Sequence, residues 1–204
     1  MSSRPHHRPA LPGAGRFEAI ETTGTDPAVL AEAAERAATA LVRGARGTPD
    51  AQLVERVVHL ADSEGLDTLA ELWSGAGPDT LPGVLWRLYV LRAWVHADPR
   101  TAAEEYEQGS RLAPVADAIS GVEHPPGPDE VRRLVDAVLR GVVAGDFADT
   151  LFRAAAFARV SAAGRARAEA DGDSTYATDL SAARLMSLAN QLEHAGRLEL
   201  RGEL

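Results

Sequence analysis

The sequence predicts an all-α fold of about eight helices, packed against one another as helical hairpins. Apolar residues recur along most of the chain at the three- and four-residue spacing of an amphipathic helix, and no segment alternates as a strand does. Asp or Thr followed by Pro repeatedly marks a helix start, and Gly marks a helix end. The 204 residues are 45% hydrophobic, which is enough for one core.

A single helical domain is expected over residues 26–196, between two terminal tails. Residues 1–25 are rich in Pro, Gly, Ser, Thr and Arg, so a disordered tail is predicted there. This stretch lacks the apolar segment of a secretory signal, and we expect a cytoplasmic protein. The Pro-rich stretch 121–128 is the best internal boundary, and residues 197–204 form a C-terminal tail without assigned structure.

Three helices are predicted before residue 74. An Asp-Pro pair starts a helix over residues 27–43, a Thr-Pro pair starts another over residues 49–64, and both stop at glycines. Asp67 caps a short third helix that ends near Trp73. Trp73, like Trp94 further along the chain, is predicted to be a core residue.

The helix predicted over residues 81–97 is expected to be the centre of the fold. It is apolar on all sides apart from a few positions, so neighbours should bury it from several directions. A membrane span needs about 20 uninterrupted apolar residues, so Arg87 and Arg92 argue against one and no membrane partner is predicted. A buried arginine must be paired or face a cavity, and Glu71 and Asp98 are candidate partners within the chain.

The remaining chain predicts four more helices and one short helical turn. The helices are expected at residues 99–113, 128–143, 147–170 and 178–195, and the turn at residues 115–119. Asp98 and Asp146 stand at helix starts, and Gly196 is the predicted stop of the last helix. That helix carries a leucine stripe that suits packing on its own chain or on a second copy, so a homo-oligomer is an open alternative. The stripe consists of Leu185, Leu188 and Leu192.

Residues 83–116 resemble a single tetratricopeptide repeat. Small, aromatic, small and proline residues follow the spacing of the repeat's second helix, and Trp86 holds its early tryptophan position. These four positions are Ala102, Tyr106, Gly109 and Pro114. The first helix departs from the repeat at Val90 and Ala93. Because an array needs about three units, the expectation is helical hairpins with tetratricopeptide-like packing in the middle of the chain.

A second resemblance covers most of residues 17–165. The run at residues 80–95, with residues 21–27 upstream and 126–131 downstream, resembles a family of small all-helical actinobacterial proteins. Members of that family often carry the label "DNA-directed RNA polymerase subunit beta". The resemblance implies an association with RNA polymerase and transcription through protein contacts, and it carries over no catalytic residue.

Composition excludes several classes of site and disfavours several partners. Without cysteine there is no disulfide, zinc–thiolate site, iron–sulfur cluster or cysteine nucleophile. The net charge of −9 repels phosphate backbones and anionic lipids, so no direct nucleic-acid partner is predicted and a basic partner is favoured. The sequence contains no recognisable catalytic or cofactor-binding motif, so we expect a protein that is not an enzyme and uses no cofactor.

Glu55, His59 and Asp62 share one face of the helix predicted over residues 49–64. That spacing can present oxygen and nitrogen ligands to a metal ion, and a small metal- or ligand-binding enzyme is the corresponding alternative. The face lies opposite the apolar stripe of the same helix, so a solvated surface is predicted and no metal site. His124, which precedes two prolines, is interpreted as part of a rigid loop without a catalytic role.

Glu104, Glu105 and Glu107 form an acidic patch on the helix predicted over residues 99–113. Paired carboxylates support acid–base chemistry when one of them is buried and its pKa is raised. These three flank the packing positions of the helix, so we expect them to be exposed. A docking surface for a basic partner is the functional alternative.

The sequence predicts a partner-binding groove, lined by Trp86, Arg87, Arg92 and Tyr106. Helical-repeat proteins bind partners on concave surfaces, and aromatic and arginine side chains are enriched at binding hot spots. The sequence therefore predicts a non-enzymatic scaffold that binds a protein or peptide through this groove. The alternative is an accessory protein bound to RNA polymerase.

Overall fold

The computed structural model describes residues 26–44, 52, 66–122, 127–144, 146–171 and 181–204. Each described element is an α-helix, and the all-α prediction is confirmed. The helices are α1 (Pro27–Arg43), α2 (Leu66–Trp73), α3 (Leu81–Ala97), α4 (Pro99–Ser110), α5 (Pro114–Ser120), α6 (Pro128–Ala144), α7 (Phe147–Ala170) and α8 (Ala182–Arg201). Outside the described residues lie the predicted tail 1–25, the predicted helix 49–64 with Glu55, His59 and Asp62, and His124.

Aspartates cap three of the helices, as the sequence predicts. The carboxylates of Asp26, Asp98 and Asp146 accept hydrogen bonds from backbone N–H groups in the first turns of α1, α4 and α7. Asp98 also accepts a 2.7 Å hydrogen bond from the Thr101 hydroxyl. The hydrogen bonds from Thr101 lower the pKa of the Asp98 carboxyl, because they stabilise its charged form.

Helix α3 lies at the centre of the N-terminal part of the fold. It packs against α1, α2, α4, α6 and α8, and it buries Val84, Leu88, Leu91 and Val95 almost completely. The expectation that neighbours bury this helix from several directions is confirmed. Among the described helices, none offers the continuous apolar length that crossing a membrane requires.

Helix α7 is a second centre. Its 24 residues pack against α4, α5, α6 and α8. Many of its buried side chains are alanines, so neighbouring helices can approach its backbone closely. Together α3 and α7 connect most of the described helices, whereas the sequence singled out only α3.

The backbones of α4 and α7 touch where two glycines meet. A Cβ atom added to Gly109 would lie 1.9 Å from the carbonyl oxygen of Val160, and one added to Gly164 would lie 1.8 Å from that of Glu105. Neither position can accept a side chain without separating the helices. The small residue at 109 is therefore a close-packing position, as the tetratricopeptide-like spacing predicts, but the helix it contacts is α7.

Helix α8 extends beyond its predicted end. The sequence placed the stop at Gly196, whereas the helix continues to Arg201 and ends at Gly202 with φ of 67°. Gly196 lies on the buried face of α8, where an added Cβ would sit 3.1 Å from the ring of Phe152 on α7. The glycine thus makes room for an aromatic ring, and packing against α7 offsets its weak helix propensity.

Candidate functional site

The four residues predicted to line a groove do not form one surface. Tyr106 has no exposed area, so it offers no contact to a partner and its predicted place in the groove is wrong. Trp86 is half-buried and stacks on Tyr89 with ring centroids 5.6 Å apart. Arg87 and Arg92 lie on α3 as well, but they reach toward different helices.

Tyr106 anchors α5 to α4 and α7. Its hydroxyl donates a 2.7 Å hydrogen bond to Asp117 and lies 2.5 Å from the hydroxyl of Ser120, both on α5. Its ring stacks on Phe157 of α7 at 5.2 Å. Burial raises the pKa of the Tyr106 hydroxyl, which stays neutral and holds these bonds. The aromatic position is therefore structural.

Arg87 and Arg92 are paired within the chain, which was one of the two interpretations of the sequence. Arg87 donates to Gln191 of α8 at 2.6 Å and to a backbone carbonyl of its own helix at 2.7 Å. Arg92 donates to Asp136 of α6 at 2.8 Å, and His96 lies 2.9 Å from the same carboxylate. The partners differ from the predicted Glu71 and Asp98 because α3 contacts α6 and α8 as well.

Glu105 is buried, and its predicted exposure is wrong. It accepts two 2.8 Å hydrogen bonds from Arg165 of α7, whose guanidinium lies 5.1 Å from the ring centroid of Trp94. Burial raises the pKa of the Glu105 carboxyl, and Arg165 opposes that rise. Glu104 and Glu107 are exposed as expected.

The helical spacing held a signal for the burial of Glu105. It lies three residues after Ala102 and four before Gly109, on the same face as both, and that face packs against α7. The charge of Glu105 favours exposure, whereas its position on this face favours burial. Its partner Arg165 directly follows Gly164, the glycine of α7 that meets the same crossing.

An apolar groove lies between α5, α7 and α8, where the sequence predicted no site. Three large apolar side chains on and just before α5 stand at its edge: Leu112 is 60% exposed, Val115 74% and Ile119 50%. Phe152, Ala155 and Ala156 of α7 line its floor, and its volume is about 570 Å³. The short alanine side chains create the depression between the larger groups. We call this surface the apolar groove.

A charged cluster closes one end of the apolar groove. Arg159 follows the floor residues along α7 and donates to Glu193 of α8 at 2.5 Å and to Asn190 at 3.0 Å. Arg197, one turn further along α8, donates to the other oxygen of Glu193. Two guanidinium groups thus share one carboxylate at this end of the groove.

A second cavity, of about 510 Å³, lies along α8 beside Asp79, the residue two positions before α3. It is lined by polar residues that include Asp79, Asn190, Gln191 and His194. His194 and Asp79, 3.8 Å apart, have side chains that are 52% and 65% exposed. Because water competes at such groups, this cavity has less to gain from a ligand than the apolar groove.

Comparison with models of protein families, with curated proteins and with solved structures found no match for this chain. The family resemblance seen in the sequence stays a prediction.

Proposed function

We propose that this chain is a helical interaction protein that docks an amphipathic helix of a partner protein in the apolar groove. The observation that carries the proposal is the row of exposed Leu112, Val115 and Ile119 beside the cavity. Scattered apolar residues are normal on a surface, but a contiguous patch next to a depression marks a binding site.

The spacing of the exposed side chains fits a helical partner. Val115 and Ile119 stand at i and i+4 on α5, a spacing with which one helix packs against another, and Leu112 extends this apolar edge just before the helix. Complete burial of such a side chain contributes roughly 1.5–3 kcal/mol. Three of them, together with Phe152, supply the affinity that remains once the cost of association is subtracted.

The groove is built on a rigid support. Tyr106 holds α5 through Asp117 and Ser120, and Arg153 of α7 donates a 3.3 Å hydrogen bond to the backbone carbonyl of Ser120. A wall fixed in this way loses little conformational entropy when a partner binds. The hydrogen bonds of Tyr106 and Arg153 thus hold in place the surface that we assign to the partner.

Affinity purification from a lysate of the protein's own host tests this proposal. The tagged wild type and the Val115→Glu variant are compared at moderate salt, with mass spectrometry of the recovered proteins. Val115 is exposed, so its substitution should leave the fold intact while it places a charge in the apolar groove. We expect a partner near stoichiometry with the wild type and its loss with the variant. Equal recovery with both proteins, or no partner at all, would contradict the proposal.

The association with RNA polymerase that the sequence resemblance implies is tested by the same purification. Polymerase subunits should then be recovered near stoichiometry, and recovery should survive nuclease treatment if the contact is with protein and not through DNA. Their absence would remove this association and leave the docking proposal standing with whichever partner is recovered.

A further inference from the structure

We infer that the helix docked in the apolar groove carries an acidic side chain, which binds beside Glu193 at the exposed parts of Arg159 and Arg197, at the charged end of the groove. This inference rests on the proposed function and specifies the chemistry of the partner. It departs from the expectation, drawn from the net charge of −9, that partners are basic.

The local charge at this end of the groove is positive. Arg159 and Arg197 both donate to Glu193, so two cations are balanced by one anion. Asn190, the other acceptor of Arg159, carries no charge. Charges further than about 8 Å are screened at physiological salt, so the nearby guanidinium groups decide which side chain is attracted at contact.

Part of the Arg159 side chain is open to a partner. About a third of it is exposed (35%), although it already donates to Glu193 and Asn190. Hydrogen bonds from arginine to carboxylate are among the stronger ones in proteins. A partner's carboxylate can therefore gain from binding at the exposed part of Arg159.

The apolar and charged parts together define a sequence pattern for the partner. Apolar residues at i, i+3 or i+4, and i+7 would fill the groove beside Val115 and Ile119. An Asp or Glu about one turn beyond them would meet Arg159, because Arg159 lies one turn beyond the floor residues on α7. A Lys or Arg at that position would face two like charges.

A displayed peptide library tests this pattern without knowledge of the natural partner. Random 16-residue helical peptides are selected for binding to the wild-type chain, and binders that also recognise Val115→Glu are removed. We expect the remaining peptides to share the apolar pattern, with Asp or Glu enriched at one end. Their affinity should fall about tenfold for Arg159→Gln and for Arg197→Gln, as a lost charge-assisted hydrogen bond implies.

Controls separate this inference from the proposed function. Arg132→Gln removes an exposed arginine of α6, paired with Asp129, and should leave binding unchanged. Thermal unfolding of each variant verifies that it is folded. Groove-dependent peptides that show no acidic enrichment, or that bind Arg159→Gln and Arg197→Gln equally well, would overturn the acidic partner while the docking function stands. If no groove-dependent peptide is found, both fail.

A second copy of the chain is the competing occupant. Sedimentation of the wild type and of Val115→Glu distinguishes a second copy from a partner helix. We expect the wild type to be monomeric at the concentration used for selection. A dimer that Val115→Glu dissociates would show that the groove is filled by another copy, and would overturn the inference.

Discussion

At the scale of single residues, surroundings decide what a charged side chain does. Glu105 and Arg165 lie in the interior, where their side chains are 8% and 6% exposed, and they satisfy each other with two hydrogen bonds. Removing two charges from water is expensive, so such a pair adds little net stability. Its effect is to fix how α4 and α7 face each other, because any shift would leave a buried charge alone.

Truncating one partner of this pair should therefore strongly destabilise the folded state. We expect Glu105→Ala to lower the free energy of unfolding by about 3–5 kcal/mol, since Arg165 keeps its charge without a carboxylate. Urea unfolding measures the change. The double variant Glu105→Leu/Arg165→Met, which removes both charges, should recover much of the loss. A loss below about 1 kcal/mol in the single variant would show that water reaches the pair.

Asp136 gives a prediction about pH. Burial alone would raise its pKa, but hydrogen bonds from Arg92 and His96 outweigh burial and lower it. A carboxyl whose pKa is depressed in the folded state stabilises the fold above its unfolded pKa of about 3.9, and this contribution is lost as pH falls through the folded pKa. Asp136→Asn should thus cost about 1 kcal/mol or less at pH 6, and the difference from wild type should shrink below pH 4. Urea unfolding at both pH values checks this, and a difference that grows at low pH would contradict it.

The sequence predicted the local roles of residues better than their distant ones. The capping roles of Asp26, Asp98 and Asp146 were predictable because a cap bonds to groups within its own first turn. The pairing of Arg87 with Gln191 joins residues 104 positions apart. Such a contact depends on which helices pack together, and helical periodicity does not contain that information.

At the scale of helices, the crossing of α4 and α7 depends on the absence of two side chains. Gly109 and Gly164 let the backbones touch, and the neighbouring Glu105 and Arg165 pair across the same crossing. Glycine is a poor helix former, so its presence here indicates that close packing outweighs propensity.

Gly109→Ala should be destabilising even though alanine is the better helix former by about 1 kcal/mol. The added methyl group would overlap the Val160 carbonyl, and we expect a net loss of about 1–3 kcal/mol in urea unfolding. Gly75→Ala is the matched control, because no atom lies within 4 Å of its added Cβ, and it should change stability by less than about 0.5 kcal/mol. A stabilised Gly109→Ala would mean that the helices lie further apart.

Helix ends were predictable to different degrees. The helix starts marked by Asp26, Asp98 and Asp146 agree with the structure. Asp67, the predicted cap of the third helix, lies instead in the first turn of α2. Gly196, the predicted stop, lies inside α8. In the sequence alone, a glycine that ends a helix and a glycine that packs inside a helix look the same. Only the ring of Phe152, packed against Gly196 from α7, distinguishes a packing glycine from a terminating one.

At the scale of the whole molecule, the groove follows from how α5 is packed. Helix α5 lies mainly against α7, and Tyr106 ties it to α4. The opposite side of this seven-residue helix therefore faces outward with Val115 and Ile119. The sequence predicted the short helix but not its free apolar side. Whether such a side is covered depends on the arrangement of all the helices.

Val115→Glu should separate binding from stability. The side chain is 74% exposed, so the change in the free energy of unfolding should stay within about 0.5 kcal/mol. Binding of the partner helix should fall strongly, because a carboxylate would be buried against the apolar floor. Urea unfolding and titration with a selected peptide measure the two effects. A large loss of stability would show that Val115 supports the fold.

The proposed function requires that a partner protein occupies the apolar groove in the cell. The most direct measurement is site-specific photo-crosslinking in the host, with the reactive side chain at position 115 and, as control, at the exposed Glu35 of α1. We predict a defined crosslink to one partner protein from position 115 and none of that mass from position 35. No crosslink from position 115, or the same products from both positions, would contradict the claim.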